Sequence, residues 1–207
     1  MKIGDIESIP GKLSYGFIKG IEVTDCTSID VPVMIAEGTS KGPALLLTSA
    51  VHGTEVQGIE VIRRILREEV DLRKLRGTIV GIPIVNRIAY LQSTWGNTPT
   101  LVNDYGNVMM SFPGNPNGTM SQRLAHIIGQ IILRVNFLVD IHCAPVPTIP
   151  FTLIPNVGSG ESLKKAGEMA DAYGVTRVVE VAGMGVAVKG VAETSTAFST
   201  LRDIPGI

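Results

Sequence analysis

Ala44-Leu45-Leu46-Leu47-Thr48-Ser49-Ala50-Val51-His52-Gly53-Thr54-Glu55 is the stretch on which the fold turns. Its first eight residues carry no charge and read as a strand buried on both faces, and His52-Gly53-Thr54 reads as a tight turn. Directly after it, Val56, Ile59, Ile62, Ile65 and Leu66 recur at helical spacing and predict an amphipathic helix. A strand, a tight turn and a helix in immediate succession are the repeating step of an α/β fold.

Working outward, the same alternation returns. Gly77 to Val85 is a second buried-strand pattern, and Thr119 to Asn136 a second helix with Leu124, Ile127, Ile128, Ile131 and Ile132 facing inward. Phe137 to His142 reads as a third strand ending in polar residues. Leu163 to Tyr173 reads as a third helix stopped by Gly174, and Val178 to Val181 as a fourth strand. Towards the N-terminus, Gly16-Phe17-Ile18 and the alternating Ile29 to Ala36 read as short strands on an antiparallel edge. The expected architecture is α/β, a mixed and mostly parallel sheet flanked by helices on both faces. Asn86 to Gly118 is rich in Asn, Gly, Pro and Thr and is expected to be a functional loop. Beyond it, Val191 to Leu201 predicts a helix, Asp203 to Gly206 a turn and Ile207 the opening of another strand.

Composition narrows the function. The chain has 207 residues, 44% of them hydrophobic and 18% charged, which describes a single globular domain over 1–207. A chain of this size buries enough surface to fold without disulfides or metal, so metal ligands in it point to chemistry. Eighteen Lys and Arg against nineteen Asp and Glu give a formal charge of -1, without the basic excess of a nucleic-acid binder. Only two cysteines, Cys26 and Cys143, and a start without an apolar signal core lead to the expectation of a reduced, cytoplasmic setting. The apolar stretches are short or interrupted, as at Gly129, Gln130 and Arg134, and none approaches a membrane span.

Two of the three histidines, His52 and His142, directly follow predicted buried strands, where the crevice of an open α/β sheet lies. Taken singly, a histidine at a strand end is ordinarily a hydrogen-bonded structural residue, and Glu55 would suit the positive end of the following helix. Their conjunction points further. Glu55 lies three residues after His52, so its carboxylate folds back beside the imidazole and completes a two-histidine, one-carboxylate set with His142. That set is the donor pattern of a catalytic zinc site with an open position, at which a water is activated and a carbonyl polarised. Cys143 is adjacent to His142, but neighbouring strand residues face opposite ways, which directs its thiol elsewhere. His126 falls in mid-helix and is read as an ordinary helix residue.

The motifs His52-Gly53-x-Glu55, Gly77-Thr78 with Pro83 and Asn86, Phe112-Pro113-Gly114 and Asp140-x-His142 resemble the succinylglutamate desuccinylase and aspartoacylase branch of the zinc carboxypeptidase-like hydrolases, from about Gly20 to Ile207. That resemblance implies a zinc-peptidase-like fold, one Zn²⁺ held by His52, Glu55 and His142, and hydrolysis of the amide of an N-acyl amino acid. The partner it implies is a small acyl-amide substrate, with assembly into a homo-oligomer left open.

The sequence also departs from the family. Where the family has Asp-Leu-Asn-Arg before Phe-Pro-Gly, this chain has Asn107-Val108-Met109-Met110. The planar cation suited to gripping a carboxylate is therefore missing. A second expected arginine falls near Trp95, and Arg87 is out of register for the role. Trp95, Met109 and Met110 are thus expected to line a more apolar substrate pocket, with Asn107 supporting a ligand histidine more weakly than an aspartate would. The family's general base, a glutamate on a late strand, is expected beyond Ile207, and the domain is read as cut short there. Glu180 and Glu193 are the late acidic residues within the chain. Two rival readings stand beside the deacylase: a catalytically impaired binding relative, and a zinc carboxypeptidase acting on peptides.

Overall fold

A computed structural model describes residues 1–23, 25–96, 106–143, 148–180 and 194–207. A small N-terminal hairpin, β1 (Lys2–Ile3) and β2 (Ile6–Glu7), precedes a central sheet of five strands. These are β3 (Leu13–Glu22), β4 (Ser28–Glu37), β5 (Ser40–Ser49), β6 (Arg76–Ile82) and β7 (Phe137–Ile141), in the spatial order β3-β4-β6-β5-β7. β5 runs parallel to β6 and β7, whereas β4 is antiparallel to both β3 and β6. The sheet is therefore mixed, with β4 alone running against its neighbours. The antiparallel edge is present, and its strands are longer than the short segments expected from Gly16 to Ile18 and Ile29 to Ala36.

Alternation along β5 shows why the sheet is covered twice. Leu46 is fully buried in a core with Val80, Ile82, Leu138 and, from the covering helices α3 (Met120–Ile132) and α5 (Ser195–Thr200), Ile128, Ile132 and Phe198. Leu47 points the other way, into a core with Met34, Ile62 and Leu66 beneath α1 (Gln57–Arg64) and its π-helical extension Ile65–Glu69. Each fully buried Leu or Ile contributes about 1.5–3 kcal/mol, so a uniformly apolar β5 is stable only as a central strand. Val56, expected on the inward stripe, is instead 45% exposed, because it caps α1 rather than belonging to a turn of it. α3 begins on a capping box, in which Thr119 accepts from the Gln122 amide and the Gln122 side chain accepts from the Thr119 amide.

Two expectations need correction. The stretch from 86 to 118 is not all loop: Asn86 caps α2 (Arg87–Gln92) by accepting from the Ala89 amide, and Met109–Ser111 forms a 3₁₀ turn. The fourth strand does not join the central sheet. β9 (Thr176–Val179) pairs in parallel only with β8 (Phe151–Ile154), an element missed because its four residues follow a proline-rich stretch. α4 (Gly160–Tyr173) connects the two and ends at Gly174, whose φ of 82° is the left-handed cap a glycine supplies. Val181 of the expected strand lies outside the described residues. At the far end, Gly206 bridges in parallel to Leu138, and Ile207 exchanges backbone hydrogen bonds with Leu138 and Asp140, extending the sheet past β7.

Candidate metal centre

β5 and β7 are parallel neighbours paired up to Ser49 and Ile141, so their carboxyl ends emerge side by side. The chain leaves β5 through Ala50, whose φ of 48° is left-handed, and turns through His52-Gly53-Thr54. Gly53 is required there: a Cβ would lie 2.1 Å from the backbone carbon of Ala89, and its amide donates to the Trp95 carbonyl at 3.1 Å. The turn is closed by the Glu55 amide donating to the His52 carbonyl at 3.1 Å. This brings Glu55 back under the imidazole, as the spacing predicts.

The three expected residues meet. Oε1 of Glu55 is 2.7 Å from Nδ1 of His52, and Oε2 is 2.9 Å from Nδ1 of His142. One donor atom from each of the three lies within 4.8 Å of the others. The Cys143 amide donates to Oε2 of Glu55 at 3.0 Å, while its thiol turns to Oε1 of Gln57 at 2.8 Å, away from the cluster. His52 and Glu55 are buried, and the His142 side chain keeps 30% of its surface. One side of the cluster is therefore open to a small molecule.

Each imidazole is held from behind. Nε2 of His52 lies 3.3 Å from Oδ1 of Asn107, the supporting residue expected from sequence, and Nε2 of His142 lies 3.3 Å from Oδ2 of Asp140. Asp140 was not assigned a role from sequence, although its place in Asp-x-His puts it on the same strand face as the histidine. Trp95 lies flat against His52, with ring centroids 3.8 Å apart and planes inclined by 16°. The 3₁₀ turn carrying Met109 and Met110 starts two residues after Asn107, and Met109 also packs against the main core. Glu180 is partly buried beyond the end of β9, its amide donating to the Ile154 carbonyl, and Glu193 lies outside the described residues.

Charge follows from this packing. Burial by itself would raise the Glu55 carboxyl, but hydrogen bonds from His142, His52 and the Cys143 amide hold it well below the usual carboxylate range. Burial would lower His142, yet the carboxylates of Asp140 and Glu55 push it up to about 10. Burial likewise opposes ionisation of Asp140, and the charge of His142 with the hydroxyls of Ser195 and Thr48 outweighs it. The donor set fits zinc: two imidazoles whose remote nitrogens face acceptors, leaving both Nδ1 atoms directed at one carboxylate.

Fold and cluster together define a mixed-sheet domain of the zinc-peptidase type with a His-Glu-His group at the carboxyl ends of adjacent strands. The family model of the succinylglutamate desuccinylase/aspartoacylase catalytic domain matches residues 41–196, and the chain belongs to that family. It is 27% identical over 169 residues to an N-alpha-acetyl-L-2,4-diaminobutyric acid deacetylase of Halomonas elongata, covering 78% of this chain and 47% of that protein. A succinylglutamate desuccinylase/aspartoacylase from Rhodobacter sphaeroides superposes with a TM-score of 0.78 at 24% identity, over 99% of this chain and 59% of that one. A carboxypeptidase A from Helicoverpa armigera shares the fold at 13% identity, with a TM-score of 0.57 over 89% of this chain and 56% of that one. The chain thus spans about half the length of the curated relative it matches. Among the described residues, no helix is long and apolar enough to cross a membrane.

Proposed function

We propose that this chain carries the metal-binding part of a zinc-dependent deacylase that hydrolyses the amide of a small N-acyl amino acid or a similar small amide. The observation that carries this reading is the reach of the single carboxylate of Glu55 to Nδ1 of both His52 and His142. In it, His52, Glu55 and His142 hold one Zn²⁺. Asn107 and Asp140 keep the two Nε2 atoms protonated, so that both Nδ1 lone pairs face the ion. The chemistry such an ion supplies when bound is activation of a water and polarisation of the amide carbonyl. In this reading Trp95, stacked on His52 and half exposed, forms one wall of the substrate entrance. The relative's acetylated amino acid is the model for the scissile amide. The replacement of the family's Asn-Arg pair by Met109-Met110 favours a substrate whose remaining end is apolar rather than a carboxylate.

A second reading is favoured by the same substitution: a relative that binds metal and ligand but turns little over. Metal analysis with an activity screen separates the two. The deacylase reading expects about one equivalent of zinc per chain, lost in His52→Ala, and zinc-dependent release of amine from a panel of N-acyl amino acids. Zinc retained without turnover on any member supports the binding relative. Less than about a tenth of an equivalent after zinc supplementation removes both.

A further inference from the structure

Asp140 and His142 stand two residues apart on β7 and its continuation, so their side chains share one face. The Asp140 side chain is only 2% exposed. Thr48, its register partner on β5, donates to Oδ1 at 2.6 Å. Ser195, the first residue of α5, donates to Oδ2, the oxygen that also faces Nε2 of His142 at 3.3 Å. A buried carboxylate is expensive unless its lone pairs are satisfied, and here a hydroxyl fixes each oxygen before the imidazole is counted. The carboxylate therefore cannot swing away from the histidine. An acceptor fixed at Nε2 holds the ring so that Nδ1 stays on the side of Glu55, the edge from which His142 would ligate a metal.

We propose that Asp140, clamped between Thr48 and Ser195, is the positioning residue that sets the orientation of His142 for the metal, so that α5 is a remote part of the site. This rests on reading His52, Glu55 and His142 as a zinc site. It also makes the two histidines unequal. His142 is anchored by a charged, fully enclosed group, whereas His52 leans on the neutral amide of Asn107 and on the exposed face of Trp95. Asp140 acting only as glue between β5, β7 and α5 would predict lost stability with no change at the imidazole.

The test uses zinc alone as the probe, with affinity measured by competition against a chromophoric chelator and the ligating nitrogen of His142 read from the ring-nitrogen NMR shifts of the zinc-loaded protein. Asp140→Asn is expected to weaken zinc by about 10–100-fold and to replace the single Nδ1-ligated form of His142 in the zinc-loaded protein with a mixture. Ser195→Ala and Thr48→Val are expected to fall between it and the unmodified protein. Affinity in Asp140→Asn within about twofold of the unmodified protein, with the ligating nitrogen unchanged, overturns the proposal even if the melting temperature drops. Should Asp140→Asn fail to fold, the hydroxyl variants decide: weaker zinc in either supports the clamp, and unchanged zinc in both overturns it. An unmodified chain that takes up no zinc brings down the metal reading and this inference with it, whereas normal uptake with unaffected variants overturns the clamp alone.

Discussion

Trp95 and His52 form a parallel stack, with centroids 3.8 Å apart, at the His52 member of the His-Glu-His cluster. The indole is 51% exposed while the imidazole beneath it is buried, so the stack is a cover placed over a candidate ligand. Aromatic pairs of this kind contribute about 0.5–1.5 kcal/mol beyond buried area. Trp95→Leu should therefore weaken zinc by a few-fold to about tenfold, and should raise KM for an apolar N-acyl substrate more than it lowers kcat. The melting temperature should stay close to that of the unmodified protein, because little of the core is touched. Zinc competition and steady-state kinetics check this, and an unchanged affinity together with an unchanged KM would remove Trp95 from the site.

Asn107 sets up the opposite experiment. Its Oδ1 faces Nε2 of His52 at 3.3 Å, where a carboxylate would raise imidazole basicity more than a neutral amide does. Asn107→Asp is therefore expected to tighten zinc by several-fold, up to about tenfold, in the same competition assay. Weaker binding in this variant would mean that Asn107 acts on His52 by shape alone.

The meeting of His52, Glu55 and His142 was legible because its signal is local. An uncharged run, a turn glycine and a carboxylate three residues on place His52 and Glu55, and an apolar strand ending in Asp-x-His places His142. What escaped depends on contacts distant in sequence. Asp140 is read as a ligand support only once Thr48, 92 residues away, and Ser195, 55 residues away, are seen on its oxygens. Trp95 was placed near the substrate by its proximity to a missing arginine, and nothing in its neighbours announces the stack on His52. β9 has the pattern of a sheet strand, but pattern does not name a partner, and its partner is the short β8 rather than β7. Asn86 is a side-chain cap followed by Ile88, Ala89 and Leu91, a helix signal submerged in a segment rich in loop residues.

Gly53 ties the metal turn to α2, and a methyl group there has nowhere to go. The Cβ of an alanine would meet the carbon of Ala89 at 2.1 Å and its carbonyl oxygen at 2.4 Å, both backbone atoms that move only with the helix. Overpacking of this kind costs about 1–3 kcal/mol. Gly53→Ala should lower stability by that amount in urea unfolding and should weaken zinc by tenfold or more, since His52 and Glu55 flank the displaced residue. Normal zinc affinity in a folded Gly53→Ala protein would show that the turn tolerates a shift the ligand geometry does not feel.

Glu180 supplies a pH dependence away from the metal. Burial raises its carboxyl above the usual range, and among the described residues no ion pair offsets this. A raised acid favours the folded state in its neutral form. Its contribution is fully present below the unfolded carboxyl range, near pH 4, and is lost as the pH rises through the higher folded value. The unmodified protein and Glu180→Gln should therefore respond differently to pH. Their stabilities should differ by a constant offset below about pH 4, and the variant should gain steadily on the unmodified protein as the pH is raised towards neutrality. Urea midpoints measured at half-unit steps from pH 4 to pH 7 give the comparison. A difference that stays flat across that window, or a variant that loses ground to the unmodified protein as the pH rises, would mean that the folded chain leaves this carboxylate at least as well solvated as the unfolded chain does.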